Sequence, residues 1–249
     1  MKNKPHFLNA FLFLVALFSS INFSAFSQHI AIVELFTSEG CSSCPPADDL
    51  LNKISKEAEV NKSNVWVLAF HVDYWNKLGW KDPYSKFQFT TRQENYSRVL
   101  AEKQVYTPQA VINGNASCVG SKESTVRSLI KDGLNTSADT KVEIKKDSVS
   151  NDTLYISYVL SKSGQNYSLR FALTEDGLSS KVAAGENEGK TLHHENVVRV
   201  FTSVDSPDEK GVYKIPLKGI KLSERIKLTV FLQHKQTMKI IGAQRIRFY

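Results

Sequence analysis

The chain is short of the features that mark several large protein classes. Beyond Phe7–Phe18 it has no long apolar run, which excludes a multipass membrane protein. It contains no P-loop, no G-x-G-x-x-G after a strand, no H-E-x-x-H and no G-x-S-x-G, so nucleotide, zincin and hydrolase chemistry have no support. Lys and Arg number 32 against 25 Asp and Glu, a formal charge of +7, but the surplus is dispersed. Its densest spots, such as Lys145-Lys146, are short and free of interleaved aromatics, whereas nucleic-acid binding needs a clustered basic surface. Cysteine occurs three times, at 41, 44 and 118, so no second C-x-x-C completes a metal-ligand set. With 41% hydrophobic and 23% charged residues the composition is that of a globular protein, not a disordered one. The 249 residues have room for one large or two small domains.

The one apolar run follows Lys2 and Lys4 and precedes Ala25-Phe26-Ser27, a small-x-small triplet. A basic tip, about a dozen apolar residues and a small-residue site predict a secretory signal peptide over residues 1–27. The run is shorter than the roughly 20 residues of a membrane span. No Cys lies near the cleavage site to carry a lipid. Loss of Lys2 and Lys4 lowers the formal charge from +7 to +5. The expectation is an exported protein, periplasmic or secreted, with no stable membrane span in the mature chain.

Ile30–Phe36 and Val65–His71 are β-branched, apolar runs suited to buried strands. Between them, Leu50, Leu51, Ile54 and Ala58 share a helical face. Asp82-Pro83 predicts the N-cap and first position of a helix through about Gln104. Gln109–Ile112 and Ala116–Val119 are joined through Asn113-Gly114, a strong hairpin signal, and Ser121 precedes a last helix. The order β-α-β, helix, β-β-α builds a helix-covered sheet. From Thr140 onward no helix is evident, and about seven short strands, punctuated by Gly164, Gly177, Gly211 and Gly219, suggest a sandwich. The fold expected is a thioredoxin-like α/β domain at 28–138 followed by an all-β sandwich at 139–249.

Chemistry concentrates at Cys41-Ser42-Ser43-Cys44, between the first strand and the first helix. The cysteine nearer the strand is expected around the N-cap, where unpaired N–H groups and the helix dipole favour a thiolate. Cys44 is near enough to close a small ring with it, and such a pair can cycle through a mixed disulfide. Pro45 loses no hydrogen bond in the first turn, whereas Pro46 is expected to distort it. With no cation inside the motif, His71, at the end of the neighbouring strand, is the nearest source of positive charge. Two other readings stay open: a structural disulfide, and a copper or zinc site using both thiolates and His71. Thr107-Pro108, ahead of the third sheet strand, supports the redox reading. An X-Pro bond there can be cis and present the Thr107 backbone to a substrate.

Val33–Asp48 (VELFTSEGCSSCPPAD) resembles the signature of an uncharacterised family of secreted bacterial proteins with a thioredoxin-like domain, the domain of unknown function 1223. HVDYW at His71–Trp75, LGWKDP at Leu78–Pro83, YTPQ at Tyr106–Gln109 and GENEGKTLHHENVVR at Gly185–Arg199 match the same family. The resemblance implies Cys41 as nucleophile, Cys44 as resolving cysteine and Pro108 as the cis-proline. The chain departs from standard thioredoxins in Gly40 before the first Cys and in the Ser-Ser dipeptide. The segment between the second strand and Pro108 is also longer.

Further residues carry paired readings. Glu34, a carboxylate in an apolar strand, is either a proton relay beneath the cysteines or a solvent-facing or lysine-paired group. Trp75 and Trp80 fall at the carboxyl edge of the strands, where ligands bind, and either line a peptide site or pack in the core. His193 and His194 point to opposite faces of a strand, so one metal cannot readily take both. Cys118 is a buried thiol, an intermolecular partner or a second redox step. The expected function is thiol–disulfide exchange on exported protein thiols or disulfides, with an unidentified redox partner and neither cofactor nor resident metal. A copper carrier on the same cysteines and a non-catalytic adaptor with a structural disulfide are the alternatives.

Overall fold

The computed structural model describes residues 28–249, and the expected signal peptide at 1–27 lies outside them. Strand β1 (Ala31–Thr37), helix α1 (Pro45–Val60) and strand β2 (Val65–His71) form the expected β-α-β unit. β1 and β2 pair in parallel from Ala31 against Val65 to Thr37 against His71. Strands buried on both faces read as continuous apolar runs, and both do. α2 (Phe87–Val99) leads to β3 (Gln109–Ile112), which turns back into β4 (Ala116–Val119). The turn residues Asn113 and Gly114 both have positive φ, 49° and 63°, as a tight hairpin requires. α3 (Glu123–Asn135) follows.

α2 begins later than Asp82-Pro83 predicts, and ends at Val99. Asp82 caps no helix, because a tertiary network takes its carboxylate. Oδ1 accepts the Tyr84 N–H, while Oδ2 accepts the Glu39 N–H and bonds His71.

The second half forms β5 (Val142–Ser150), β6 (Thr153–Leu160), β7 (Tyr167–Glu175), β8 (Leu178–Lys181), β9 (Thr191–His194), β10 (Val197–Asp205), β11 (Lys210–Pro216), β12 (Ile226–His234) and β13 (Ile240–Arg247). β8 and β9 pair only with each other, β11-β6-β5 make a small sheet, and the rest join the strands of the first half.

The expected fold class is therefore corrected. The molecule is mostly β, with thirteen strands and three α-helices among the described residues. It is not a thioredoxin-like α/β domain followed by a separate sandwich. One mixed eight-stranded sheet runs in the order β13-β12-β7-β10-β2-β1-β3-β4. The two halves join where Val197 of β10 pairs in parallel with Ala69 of β2, and the Asn196 carbonyl accepts the Ala69 N–H at 2.9 Å. The reason is physical. The outer edge of an apolar β2 would leave backbone donors and acceptors unpaired; the Asn196 carbonyl meets it at Ala69, and the Arg245 guanidinium takes the Val67 carbonyl at 3.1 Å.

Core packing says the same. On the α2 face, Ile32, Phe36, Phe70 and Phe89 pack with Ala172, Val198 and Phe231, mixing the two halves in one cluster. Fully burying a side chain of the Phe or Ile kind contributes about 1.5–3 kcal/mol, so this mixed cluster couples the halves firmly. α1 and α3 bury Leu51, Ile54, Val126 and Ile130 against Val33 and Leu35. The small sheet packs Leu154, Ile156 and Ile215 on Phe171, Leu228 and Val230. Along β1, odd residues thus face α1, and even ones, Glu34 included, face α2.

Candidate functional site

Cys44, not Cys41, is the N-cap residue of α1, and Pro45 and Pro46 open the helix where N–H groups have no intrahelical partner anyway. Cys41 lies three residues earlier, its carbonyl accepting the Cys44 N–H at 3.2 Å. The two sulfurs form a disulfide with 5.4 Å between Cα atoms. Both cysteines are fully buried, whereas Ser42 and Ser43 are exposed.

Three of the expected site residues, Thr107, Pro108 and Trp75, gather at this disulfide. The Thr107-Pro108 peptide is cis. The Thr107 hydroxyl donates to Cys41 Sγ at 3.3 Å and accepts the Trp75 indole N–H at 2.8 Å. Ser43 Oγ lies 3.3 Å from Cys41 Sγ. Gly40 lets the chain pass close to Trp75, since a Cβ there would sit 3.1 Å from Trp75 Cβ. Hydroxyls at this distance favour a thiolate over a thiol, as does the end of α1.

A buried polar cluster stands behind the motif. His71 Nδ1 bonds Asp82 Oδ2 at 2.7 Å, and both side chains are buried. Burial alone would lower the imidazole's pKa, but the charge and hydrogen bond of Asp82, with Asp48 and Glu39, outweigh it and raise the value above 6.5. Burial likewise pushes Asp82 up, yet the His71 charge and hydrogen bond, with the N–H groups of Glu39 and Tyr84, hold it below the usual carboxylate range. A second pair, His194 Nε2 with Glu39 Oε1 at 2.8 Å, stands beside the first, and Trp80 donates to Glu39 Oε2 at 2.7 Å. The two imidazoles pack edge to face, 5.0 Å apart. Asp48, one turn after Cys44, accepts the Thr37 hydroxyl at 2.8 Å, and burial raises its pKa.

Sequence reasoning passed over the loop that covers the motif. Asn187 is fully buried, and its amide donates to the carbonyls of Glu39 and Cys41, at 2.9 Å each. Glu186 accepts the Ser42 N–H at 2.9 Å and the Ser42 hydroxyl at 2.7 Å. Those hydrogen bonds hold the Glu186 carboxyl below its usual range. The GENEGK segment thus straps over the cysteines from about 145 residues away, as the 144- and 146-residue separations show. Its recurrence as a family motif was the available signal. Glu39 was missed because its partners His194 and Trp80 lie 155 and 41 residues away, and His194 was weighed only as one of a metal pair.

Other candidates lie elsewhere. Glu34 is buried on the α2 face, with the Arg92 guanidinium on both of its oxygens at 2.5 and 2.9 Å and the Tyr96 hydroxyl on one at 2.5 Å. The structure does not bring it under the cysteines. His193 is exposed and His194 buried, on opposite faces of β9. Cys118 is a half-buried free thiol on β4, its pKa raised by burial. No group of three or more His, Cys, Asp or Glu among the described residues is arranged to hold a metal ion. None of the helices among the described residues is long and apolar enough to cross a membrane.

Comparison with known proteins places this arrangement. The chain matches no curated protein. It is similar to a protein of Agrobacterium tumefaciens whose crystal structure was determined by a structural genomics consortium. The two share 27% identity with a TM-score of 0.66, over 87% of this chain and 93% of that one. A family model described as "Protein of unknown function (DUF1223)" matches residues 32–233, most of the described chain, and the protein belongs to that family.

Proposed function

We propose that the protein is an exported thiol–disulfide oxidoreductase working through Cys41 and Cys44. The observation that carries this reading is the disulfide at the start of α1 with the Thr107 hydroxyl on Cys41 Sγ. A substrate thiolate attacks Cys41 Sγ, a mixed disulfide forms, and Cys44 leaves as a thiolate stabilised at the helix end. A second substrate thiolate then attacks the substrate sulfur of the mixed disulfide and releases Cys41. Two substrate thiols lose two electrons and two protons, and the Cys41–Cys44 bond gains the electrons; the reverse sequence reduces a substrate disulfide. Thr107 and Trp75 would dock the substrate backbone and an apolar side chain beside Cys41.

The test is the reduction potential of the Cys41–Cys44 pair, from equilibration in graded glutathione buffers, alkylation and intact mass. A value between about −120 and −270 mV supports exchange, the upper end meaning an oxidant and the lower a reductase. A pair that resists reduction below roughly −300 mV is a structural bridge and overturns the proposal. Cys44→Ser is expected to accumulate mixed disulfides through Cys41.

A further inference from the structure

A second site lies on the α2 face of the main sheet and shares no lining residue with the cysteine site. A cleft of about 800 Å³ opens between α2 and strands β7, β10 and β12, bounded at one end by the turn after β12. That volume is in the range of about 300–1,000 Å³ common for small-molecule sites. Arg92 and Arg98 of α2, Arg170 of β7 and Lys235 of the turn all line it, and no Asp or Glu is among its lining residues.

These cations are not equally matched. Glu34 neutralises Arg92 from below. Arg170 has no such counter-ion in contact. Its Nη1 donates to the neutral Ser203 hydroxyl at 3.1 Å, and its buried Nε has no hydrogen-bond partner among the described residues. Burial, and then the charge of Arg92, hold the Arg170 guanidinium below its ordinary range, with Asp205, Tyr96 and Glu34 pulling the other way. The Asp205 carboxylate itself is engaged by Ser168 Oγ. Arg98 donates to Asn95 Oδ1, and Lys235 to Ser206 Oγ at 2.8 Å, again neutral acceptors. Three cations therefore border one cleft with neutral partners, and one of them is partly desolvated beside a fourth.

The geometry points to a binding site for a small organic polyanion, a compact molecule carrying two or more phosphate or carboxylate groups. Arg170 lines the cleft, and a guanidinium, unlike a lysine, can meet either group bidentately. Arg98 and Lys235 hold the second acidic group at the rim, and Phe201 supplies an apolar wall to the scaffold. Filling the cleft offsets the repulsion between Arg170 and Arg92. This site is independent of the redox reading.

The experiment is calorimetric titration of the purified protein at low salt, with tripolyphosphate and with citrate as separate probes. Saturable one-to-one binding of either, on the order of 10–100 µM, is the expected result. The tighter probe distinguishes a phosphoryl from a carboxylate ligand. Arg170→Met weakens binding by about tenfold or more, the loss expected for a charge-assisted hydrogen bond. Because Arg170 sits mid-strand, Arg98→Glu and Lys235→Glu, both at exposed positions, serve as variants that keep the fold and must also weaken binding. Lys145→Glu, on exposed β5 outside the cleft, leaves it unchanged. Absence of saturable binding by both probes overturns the assignment, as does an affinity indifferent to Arg98→Glu and Lys235→Glu. Binding of a Glu-rich peptide alone overturns it too.

Discussion

Both cysteines are fully buried, so any reductant must wait for the site to open, and the GENEGK loop is the element that holds it shut. Asn187→Ala is the sharpest perturbation. It removes two buried hydrogen bonds of 2.9 Å, to the Glu39 and Cys41 carbonyls. Each contributes a net 0.5–1.5 kcal/mol, so the strap loses about 1–3 kcal/mol. If opening is fast relative to reduction, the rate follows the open population. At 1.36 kcal/mol per factor of ten, the disulfide should be reduced about 5- to 150-fold faster. The assay is the pseudo-first-order rate of reduction by a phosphine, quenched with alkylating agent and read by intact mass. Ile156→Val supplies the control. It costs about 0.5–1.5 kcal/mol in the core under the small sheet and should leave the rate unchanged if opening is local. An Asn187→Ala rate within twofold of the parent refutes the strap, as does equal acceleration by Ile156→Val.

Three further outcomes follow from the same contacts. Because hydrogen bonds from Ser42 hold the Glu186 carboxyl below 4.5, its contribution to the strap is complete above that value and is lost as pH falls through the depressed one. Phosphine reduction, normalised to a model disulfide, should therefore accelerate in acid, and Glu186→Gln should remove the acceleration. Arg92→Met leaves Glu34 buried without its counter-ion, and should cost about 3–5 kcal/mol in urea unfolding. Adding Glu34→Leu should recover part of that loss, and no recovery would mean the pair is not the cause. The raised His71 contributes stability that is full below 6.5 and fades as pH climbs through its folded value. The depressed Asp82 contributes stability that is full above 3.8 and fades in acid. Thermal midpoints should consequently peak between those limits, and Asp82→Asn should flatten the decline on the alkaline side.

Local signals carried the sequence reading a long way. Val65–His71 is a strand with the bounds its apolar run implies, and Asn113-Gly114 turns β3 into β4. The Cys-x-x-Cys motif does open a helix, and Thr107 lies between the Trp75 indole and Cys41 Sγ. Each depends on side-chain period, turn chemistry or the order of neighbouring elements, all of which act over a few residues. Asp82 shows where such signals fail, since a cap preference of about 1 kcal/mol loses to a buried partner of opposite charge.

What the amino-acid sequence by itself determined was therefore most of the strands, helices α1 and α3, and the Cys-x-x-Cys motif before α1. The tertiary structure alone decided how they assemble. Alternation marks a strand but not its partner, so only the folded chain shows β10 pairing on β2, and with it one mixed sheet in place of a separate sandwich. Glu34, by sequence either a relay or a solvent-facing or lysine-paired group, is taken by Arg92, 58 residues away, and Asn187 and His194 reach Cys41 and Glu39 across 146 and 155 residues. Buried charges and amides require partners, and only the folded chain says which ones are within reach.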